Sequence, residues 1–575
     1  MEKLCVNKKC GGFFNDCLYA EELKFWSLFL FVAALIYAYP FYTAEYIAYG
    51  DALFHMNRIE GIKEALLAFE IPARINGYML NGYGTADGIM YPNLLLYFPA
   101  ALRILGLPVA LAWNIYWIFI IMLGIFVSFT GYSVWTKNIR TGVVCACFYV
   151  SAVCVVFCLG HGAGDYPAFM TLPLAIGSLI KILEDEKNAN YWWVFVIGFT
   201  IIIETHVITA LFLIILIFIL LAFYNKALKN KIQRGAVLKA AFFSCLLNLW
   251  FALPFAYFYK TVSFHINNPP SVNSLHDVTS SIYEIVYSQC YLGAPILFFL
   301  FVCLFFGKTR KDKGFIVACL IYLLMLFAVS EYFPWEWIEN NLPGGKFLPS
   351  LQFSLRFIPF GAMFIILYIG NFFAKYAKTS KKYLFAATVF FIYIVELAIA
   401  SNSPIYFGHT LFMRFDYAKL DSLPSYIRDN YYVAEDYLYS DVIFHKLRNE
   451  RGEVYGKDEF KSDARVFDIK KQGTRLEFSY NVDYDTVIQV PFFYWEGYEA
   501  TDENGDKLLI TSGENRFMEV HVPKGNGMVK IHYAGLWFFW LCDAISFVAF
   551  LAFIFIVTIK ERRKENREIS GNSRV

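Results

Sequence analysis

Charged residues are scarce in this chain. Asp, Glu, Lys and Arg make up 17% of its 575 residues, whereas 58% are hydrophobic and 19% are aromatic. Soluble globular proteins carry about 25% charged residues. The formal net charge is only +2, which excludes nucleic-acid binding through an overall basic surface. Because long apolar runs recur along most of the length, the composition indicates a lipid bilayer as the main solvent.

Cysteines with the spacing of a metal or disulfide framework are also lacking. Cys5 and Cys10 have no second pair or histidine couple with which to complete a zinc site. The segment 401–535 has no cysteine at all, so a hydrophobic core rather than disulfides must hold it together. The remaining cysteines lie mostly inside apolar runs, where they behave as small hydrophobic residues.

Lys and Arg clusters are few, and their positions predict a topology. The clusters are Lys226–Arg234, Lys308–Lys313, Lys375–Lys382 and Lys560–Lys564. The positive-inside rule places them, and both termini, in the cytoplasm. The apolar runs then predict about twelve crossings, near 25–43, 109–131, 142–159, 168–183, 192–204, 207–224, 236–258, 293–307, 314–332, 357–374, 383–400 and 536–559. The run 93–107, with Pro99 and Arg103, is predicted to enter the membrane only partly.

The predicted fold is therefore a polytopic α-helical membrane protein with a β domain before its last transmembrane helix. Residues 1–24 form a cytoplasmic N-terminus and 25–400 a transmembrane domain, in which 44–92 is the first outer loop. Residues 401–535 form an extracytoplasmic domain, 536–559 the last helix and 560–575 a basic cytoplasmic tail.

The extracytoplasmic domain shows alternating apolar residues from about position 463. Leu476, Phe478 and Tyr480 alternate with polar residues, as do residues 518–522 and 529–533, and Asp502–Asp506 is a hairpin turn signal. This pattern is typical of an antiparallel β-sandwich. Two roles stay open, a structural spacer or a sugar-polymer-binding module. A sugar-polymer-binding module would stack sugar rings on the aromatic side chains of Tyr494, Trp495 and Tyr498.

The first outer loop contains a candidate catalytic group. Asp51, His55 and Arg58 share one face of a predicted helix. A second, apolar face runs from Phe54 to Phe69 and would lie on the membrane surface. A carboxylate beside a histidine can act as a general base, although an Asp after Gly at a helix start is also an ordinary N-cap.

Several short motifs resemble those of a known group, the GT-C-type membrane glycosyltransferases that use polyprenyl-phosphate donors, and most closely the bacterial YfhO-like membrane proteins. In the first loop the matching residues are Asp51, His55, Gly82, Gly84, Tyr91, Pro92 and Leu94, with Asn93 in place of a second proline. Leu351–Phe357 is similar to a Gln-Phe-Pro-Trp-Arg-Phe element, with Ser354 and Leu355 replacing Pro-Trp. The end of the chain resembles the terminal β domain of the YfhO-like proteins.

The resemblance implies roles for these residues. Asp51 would be the base that activates the acceptor, and Asp165 a second acidic residue that orients it. Arg356 would hold the lipid phosphate by paired hydrogen bonds. The other candidate substrate-binding residues are His55, Arg58, Tyr83, Tyr91, His161 and His206. Each also has a structural alternative, such as a helix cap for Asp165 or snorkelling to the interface for Arg356.

The sequence thus predicts a glycosyltransferase of the plasma membrane, bacterial by resemblance. It would move a sugar from polyprenyl phosphate to an extracytoplasmic glycolipid or envelope polymer, with membrane lipids and no nucleic acid as partners. The sequence assigns no cofactor, and a divalent cation stays open, which Asp165 would help to bind. The alternatives are a transporter or flippase of lipid-linked saccharides, whose polar residues would be expected at the bilayer midplane, and a non-catalytic envelope protein that presents its β domain.

Overall fold

The computed structural model describes residues 17–39, 41, 51–155, 164–265, 273–306, 312–376, 382–401, 437–443 and 460–572. This part of the chain is mostly helical. The helices are α1 (Cys17–Tyr37), α2 (Ala52–Leu67), α3 (Asp87–Met90), α4 (Tyr97–Ile104), α5 (Val109–Thr136), α6 (Ile139–Ser151), α7 (Asp165–Glu184), α8 (Trp192–Ile203), α9 (Val207–Phe223), α10 (Lys231–Leu247), α11 (Leu249–Thr261), α12 (Ile282–Tyr287), α13 (Ala294–Phe306), α14 (Lys313–Val329), α15 (Trp335–Asn341), α16 (Ile358–Tyr376), α17 (Lys382–Ser401) and α18 (Trp537–Asn572).

Four helices in the described ranges are long and apolar enough to cross a membrane. They lie in the segments Val109–Thr136, Asp165–Glu184, Ser354–Lys375 and Trp537–Ile559. A fifth candidate is the pair formed by α10 and α11, whose axes are bent by 68°. Other predicted crossings fall on apolar helices of 10–17 residues, shorter than the roughly 20 residues of a straight span. The predicted twelve crossings therefore stay a prediction.

Close contacts between α5 and its neighbours form the centre of the helical part. A Cβ atom added to Gly131 of α5 would lie 2.3 Å from the backbone nitrogen of Leu174 in α7, so glycine lets the two helices touch. Ser128 of α5 donates a 2.7 Å hydrogen bond to the carbonyl of Met170, also in α7. One large apolar core surrounds these contacts and includes Trp113 and Trp117. The N-terminal end of α7 is thereby fixed against the bundle.

The C-terminal domain is antiparallel β, as predicted. Its strands are β1 (Arg465–Gln472), β2 (Arg475–Val482), β3 (Thr486–Phe493), β4 (Tyr498–Thr501), β5 (Lys507–Leu508), β6 (Ile510–Ser512), β7 (Phe517–Val522) and β8 (Gly525–Tyr533). One sheet has the order β1-β2-β8-β4-β5 and the other β3-β7-β6. Side chains from both sheets share a single apolar core. The predicted turn at Asp502–Asp506 joins the antiparallel pair β4 and β5.

The aromatic residues proposed as sugar-stacking platforms are mostly part of this core. Trp495 is fully buried and stacks on Tyr439 with ring centroids 4.6 Å apart. Tyr498 is buried against Phe492 and Tyr533. The stacking role is therefore wrong for Trp495 and Tyr498, because the apolar core takes up the faces that a sugar would need.

Candidate active site

Five separate stretches of the chain converge at one end of the helical bundle. Asp51 and His55 lie at the start of α2, and Tyr91 directly follows α3. Asp165 is the first residue of α7 and His206 precedes α9. Arg356 lies just before α16.

Asp165 and His206 form the closest polar pair of the site. The Nδ1 atom of His206 caps α9 by accepting a hydrogen bond from the backbone N–H of Thr209, at 3.3 Å. Because Nδ1 is an acceptor, the ring proton belongs on Nε2. That atom lies 2.6 Å from Oδ1 of Asp165. The cap therefore fixes the histidine tautomer and aims its N–H at the carboxylate.

Arg356 approaches the other oxygen of the same carboxylate. Its Nε lies 3.6 Å from Oδ2 of Asp165. Its Nη1 donates to the carbonyl of Leu351 at 2.7 Å and to Oε1 of Gln352 at 3.1 Å. Nε itself is buried without a hydrogen-bond partner among the described residues, so the guanidinium retains a donor for a further acceptor.

The turn that holds Arg356 is strained. Gln352 has φ 66° and ψ −47°, and the N–H of Phe353 donates to the carbonyl of Leu351 at 2.8 Å. These values describe a γ-turn of the rare kind with positive φ. Such a conformation costs about 1–3 kcal/mol and persists where surrounding contacts enforce it. Here the guanidinium of Arg356 bridges two residues of the turn, which fixes its own orientation.

Asp51 occupies the N-cap position of α2, but its side chain makes no capping hydrogen bond. The capping alternative therefore does not account for this carboxylate. The side chain is exposed to solvent, whereas the following residues of α2 are mostly buried. Burial, followed by the charge of Asp165, raises the pKa of Asp51 to about 6, while the charge of Arg356 acts to lower it. The three charged groups thus belong to one electrostatic cluster.

The rings of Tyr91 and His55 pack together between α2 and the start of α7. Their rings meet edge to face, with centroids 5.5 Å apart. Burial lowers the pKa of His55 well below its ordinary value, and the charge of Arg58 adds to the effect, so His55 is neutral. A Cβ atom on Gly164 would lie 2.5 Å from the hydroxyl oxygen of Tyr91. The hydroxyl therefore packs directly beside the residue that precedes Asp165.

Arg58 packs against Tyr91 and is not part of the solvent-exposed site around Asp51. Its side chain is buried, its Cζ lies 4.2 Å from the centre of the Tyr91 ring, and its Nη2 donates to the carbonyl of Pro92 at 2.7 Å and to Oδ1 of Asn93 at 2.6 Å. Its Nε is 3.6 Å from Oδ2 of the buried Asp87. Arg58 thus holds the Tyr91–Asn93 segment in place. Asn93, which departs from the family motif, supplies one of its acceptors.

Tyr83, another predicted site residue, is not in the cluster. Tyr83 packs against Phe493 and Phe517 of the β domain, with ring centroids 5.9 and 5.2 Å away. His161 lies outside the described residues. The predicted apolar face of α2 is also inside the protein, because Phe54, Ile59 and Ile62 are buried. Only its C-terminal end, with Phe69, is exposed.

The β domain contacts the first outer loop directly, which the sequence did not predict. Lys471 of β1 donates to the carbonyl of Gly82 at 2.7 Å, and the N–H of Phe493 donates to the carbonyl of Tyr83 at 2.9 Å. Phe54, next to His55, stacks on Tyr437 with ring centroids 5.3 Å apart. The first outer loop and the start of α2, next to Asp51, are therefore in direct contact with the C-terminal domain.

Within the described ranges, no three His, Cys, Asp or Glu side chains are grouped so as to hold a metal ion. Asp165 is already approached by His206 and Arg356.

Comparison with known proteins gives loose structural matches only. No protein-family model matches the chain, and no curated protein matches it in sequence. An oligosaccharyltransferase from Archaeoglobus fulgidus, crystallised with a tethered acceptor peptide, aligns with a TM-score of 0.35 and 13% identity over 72% of this chain and 58% of its own. ArnT from Cupriavidus metallidurans, bound to undecaprenyl phosphate, aligns with a TM-score of 0.34 and 12% identity over 69% of this chain and 74% of its own. This chain thus spans 58% of the length of the oligosaccharyltransferase.

Proposed function

We propose that the protein is an integral membrane glycosyltransferase that moves a sugar from a polyprenyl-phosphate donor to a hydroxyl group of an extracytoplasmic glycolipid or envelope polymer. The observation that carries the proposal is the Asp51 carboxylate. It makes no capping bond, its pKa is raised to about 6, and it interacts with the charges of Asp165 and Arg356. A general base works best when its pKa lies near the operating pH.

In the proposed reaction, Asp51 accepts the proton of the acceptor hydroxyl while that oxygen attacks the anomeric carbon of the sugar. The bond between this carbon and the phosphate oxygen breaks, its electron pair goes to the phosphate, and polyprenyl phosphate leaves. The proton on Asp51 then passes to solvent. Inversion at the anomeric carbon follows from the family resemblance and from attack opposite the leaving group.

Arg356 is assigned to the phosphate. Its buried Nε has no hydrogen-bond partner among the described residues, and the strained turn at Gln352 fixes the guanidinium plane. A preorganised donor aimed at developing negative charge stabilises a transition state. Asp165 and His206 position the substrates, with the His206 N–H held against the Asp165 carboxylate.

The remaining predictions belong to the same proposal. They comprise about twelve crossings, both termini in the cytoplasm of a bacterial cell, and a place among the YfhO-like proteins. The separation of the site from Lys137 and Arg140, a weaker basic cluster that the positive-inside rule also assigns to the cytoplasm, supports this orientation. Asp51, Asp165 and Arg356 meet near the N-terminal end of α5, where His55 stacks on Trp113, whereas Lys137 and Arg140 lie at the C-terminal end of α5 and the start of α6.

The test is reconstitution of wild type and Asp51→Asn in vesicles with a panel of polyprenyl-phosphate sugars and envelope-lipid acceptors. We expect wild type to release free polyprenyl phosphate, and a folded Asp51→Asn protein to release at least about a hundredfold less, the usual loss on removing a general base. Equal release by both proteins would retire Asp51 as the base.

A second candidate is a transporter of lipid-linked saccharides, because the 68° bend between α10 and α11 is a broken helix, a common element of transporters. Translocation of the same lipids by wild type and by Asp51→Asn alike, without release of polyprenyl phosphate, would favour it. Loss of function on removal of 401–535 with Asp51→Asn silent would instead favour the non-catalytic envelope protein.

A further inference from the structure

The break between α10 and α11 is stabilised by distant parts of the chain. Asn248 lies between the two helices, whose axes diverge by 68°. Ser546 of α18 donates to the carbonyl of Leu246 at 2.7 Å and accepts from the N–H of Trp250 at 3.0 Å. Arg74 of the first outer loop donates to the carbonyl of Trp250 at 3.4 Å. These hydrogen bonds satisfy backbone groups of Leu246 and Trp250 on the two sides of the break, and so they stabilise the bend.

Several side-chain oxygens beside the break are buried without a partner. Glu204 is 1% exposed, and neither of its carboxylate oxygens has a hydrogen-bond partner among the described residues. The same holds for Oδ1 of Asn248 and Oγ of Ser244, whose residues are 2% and 4% exposed. In a sound fold, buried polar atoms are almost always paired. A group of unpaired oxygens therefore indicates a missing positive or hydrogen-donating ligand.

Contacts between α8 and the break place Glu204 in the neighbourhood of Asn248 and Ser244. The amide nitrogen of Asn248 donates to the carbonyl of Ser244 at 2.6 Å and to Oγ1 of Thr200 at 3.2 Å. Glu204 follows Thr200 by one helical turn, and the indole of Trp250, at the first turn of α11, interacts with its carboxylate without full hydrogen-bond geometry. The carboxylate thus points toward the break.

The charges around the break leave one negative charge unbalanced. Arg74 is paired with Asp543, with Nη2 and Oδ1 2.7 Å apart, which leaves the carboxylate of Glu204. A lone buried carboxylate costs several kcal/mol, and the C-terminal end of α10 adds partial negative charge at the same point. One monovalent positive charge would balance the site.

We propose that the break binds one alkali-metal cation, with Na⁺ as the first candidate, through the Glu204 carboxylate, the Asn248 carboxamide oxygen and the Ser244 hydroxyl. Oxygen donors at the end of a broken helix suit this kind of ion. The bound cation would link α8 to the break and so stabilise the junction of α10, α11 and α18. This proposal does not depend on the glycosyltransferase function.

The test measures thermal unfolding of the purified full-length protein in detergent at pH 8. NaCl is exchanged for choline chloride at constant ionic strength. We expect Na⁺ to raise the melting temperature of wild type with a saturable concentration dependence, and Glu204→Gln to abolish the shift. Glu184→Gln is the matched control, because Glu184 pairs with Lys181 at the surface, and it should keep the shift.

Ser244→Ala gives a second, milder variant, because the Oγ atom that it removes has no partner among the described residues. It should fold normally and bind ²²Na⁺ at least about tenfold more weakly than wild type, a loss of about 1.4 kcal/mol. Identical melting of wild type in Na⁺, Li⁺, K⁺ and choline would overturn the proposal and indicate that a proton neutralises Glu204. Retention of the Na⁺ shift by Glu204→Gln would overturn it as well.

Discussion

The raised pKa of Asp51 predicts how activity depends on pH. Asp51 must be deprotonated to accept the hydroxyl proton, and its pKa is raised from 3.8 to about 6 by burial first and by Asp165 second. A raised pKa keeps the acid form to higher pH, so kcat/KM should be low below pH 6 and rise through it to a plateau. One pH unit below the pKa, only about a tenth of the base is deprotonated, and the rate should be about tenfold below the plateau.

Asp165→Asn provides the decisive perturbation. It removes the negative charge that raises the pKa of Asp51 but leaves burial, the larger cause, in place. The pH at which kcat/KM reaches half of its plateau, here called the acid limb, should therefore move to a value between 3.8 and 6. Arg356→Met removes a charge that lowers this pKa, so its limb should move above 6.

The assay is release of polyprenyl phosphate in vesicles, with kcat/KM measured from about pH 4.5 to 8.5 across the range where Asp51 titrates. Both variants are also expected to lower the plateau, so the position of the limb, and not the rate at one pH, is the informative quantity. A wild-type limb near 4, or a limb that Asp165→Asn leaves unmoved or shifts upward, would refute the electrostatic assignment.

Two further predictions concern close contacts around the site. Gly164→Ala should lower activity at least about tenfold, because the new methyl group would lie 2.5 Å from the neighbouring hydroxyl and carbonyl oxygens and a small misplacement can cost about a hundredfold. Gly235→Ala, which meets nothing within 4 Å, should stay active, and equal losses in both variants would contradict the reasoning. Lys471→Met removes the 2.7 Å hydrogen bond to Gly82 and should speed amide hydrogen exchange in residues 76–93. The surface variant Lys507→Met should leave that exchange unchanged, and unchanged exchange in Lys471→Met as well would argue against support of the loop by the β domain.

The convergence of the charged site residues was predictable from the sequence, because loop charges assign each segment to one side of the membrane. The predicted topology puts the loop with Asp51, the turn 160–167 with Asp165 and the segment 333–356 with Arg356 on the outer side, and the structure brings the three side chains within electrostatic reach of each other. Their detailed roles remain predictions. The alternation of apolar residues likewise predicted the antiparallel sheets, since residues such as Leu476 and Phe478 are buried as the pattern requires.

Long-range burial was not predictable in the same way. Arg58 was predicted to share a helix face with Asp51 and to bind substrate, yet its acceptors lie at Tyr91–Asn93, more than 30 residues along the chain. Nothing in the local spacing shows that Tyr83 meets the β domain or that Gln352 adopts positive φ. Such features depend on contacts between residues that are distant in the sequence, and local sequence patterns do not show those contacts.

The position of α2 has a consequence for how this protein can be dissected. Phe54 of α2 belongs to the apolar core shared with the β domain, whereas Met56, Ile59 and Ile62 of the same helix belong to the core of the membrane helices. α2 thus contributes side chains both to the core of the membrane helices and to the core of the β domain, so neither core is complete without it. Truncation of the β domain would expose Phe54 and loosen the very helix that carries Asp51. A deletion mutant would therefore lose activity whether or not the domain itself touches substrate, so loss of function on deletion is informative only together with the result for a point variant such as Asp51→Asn.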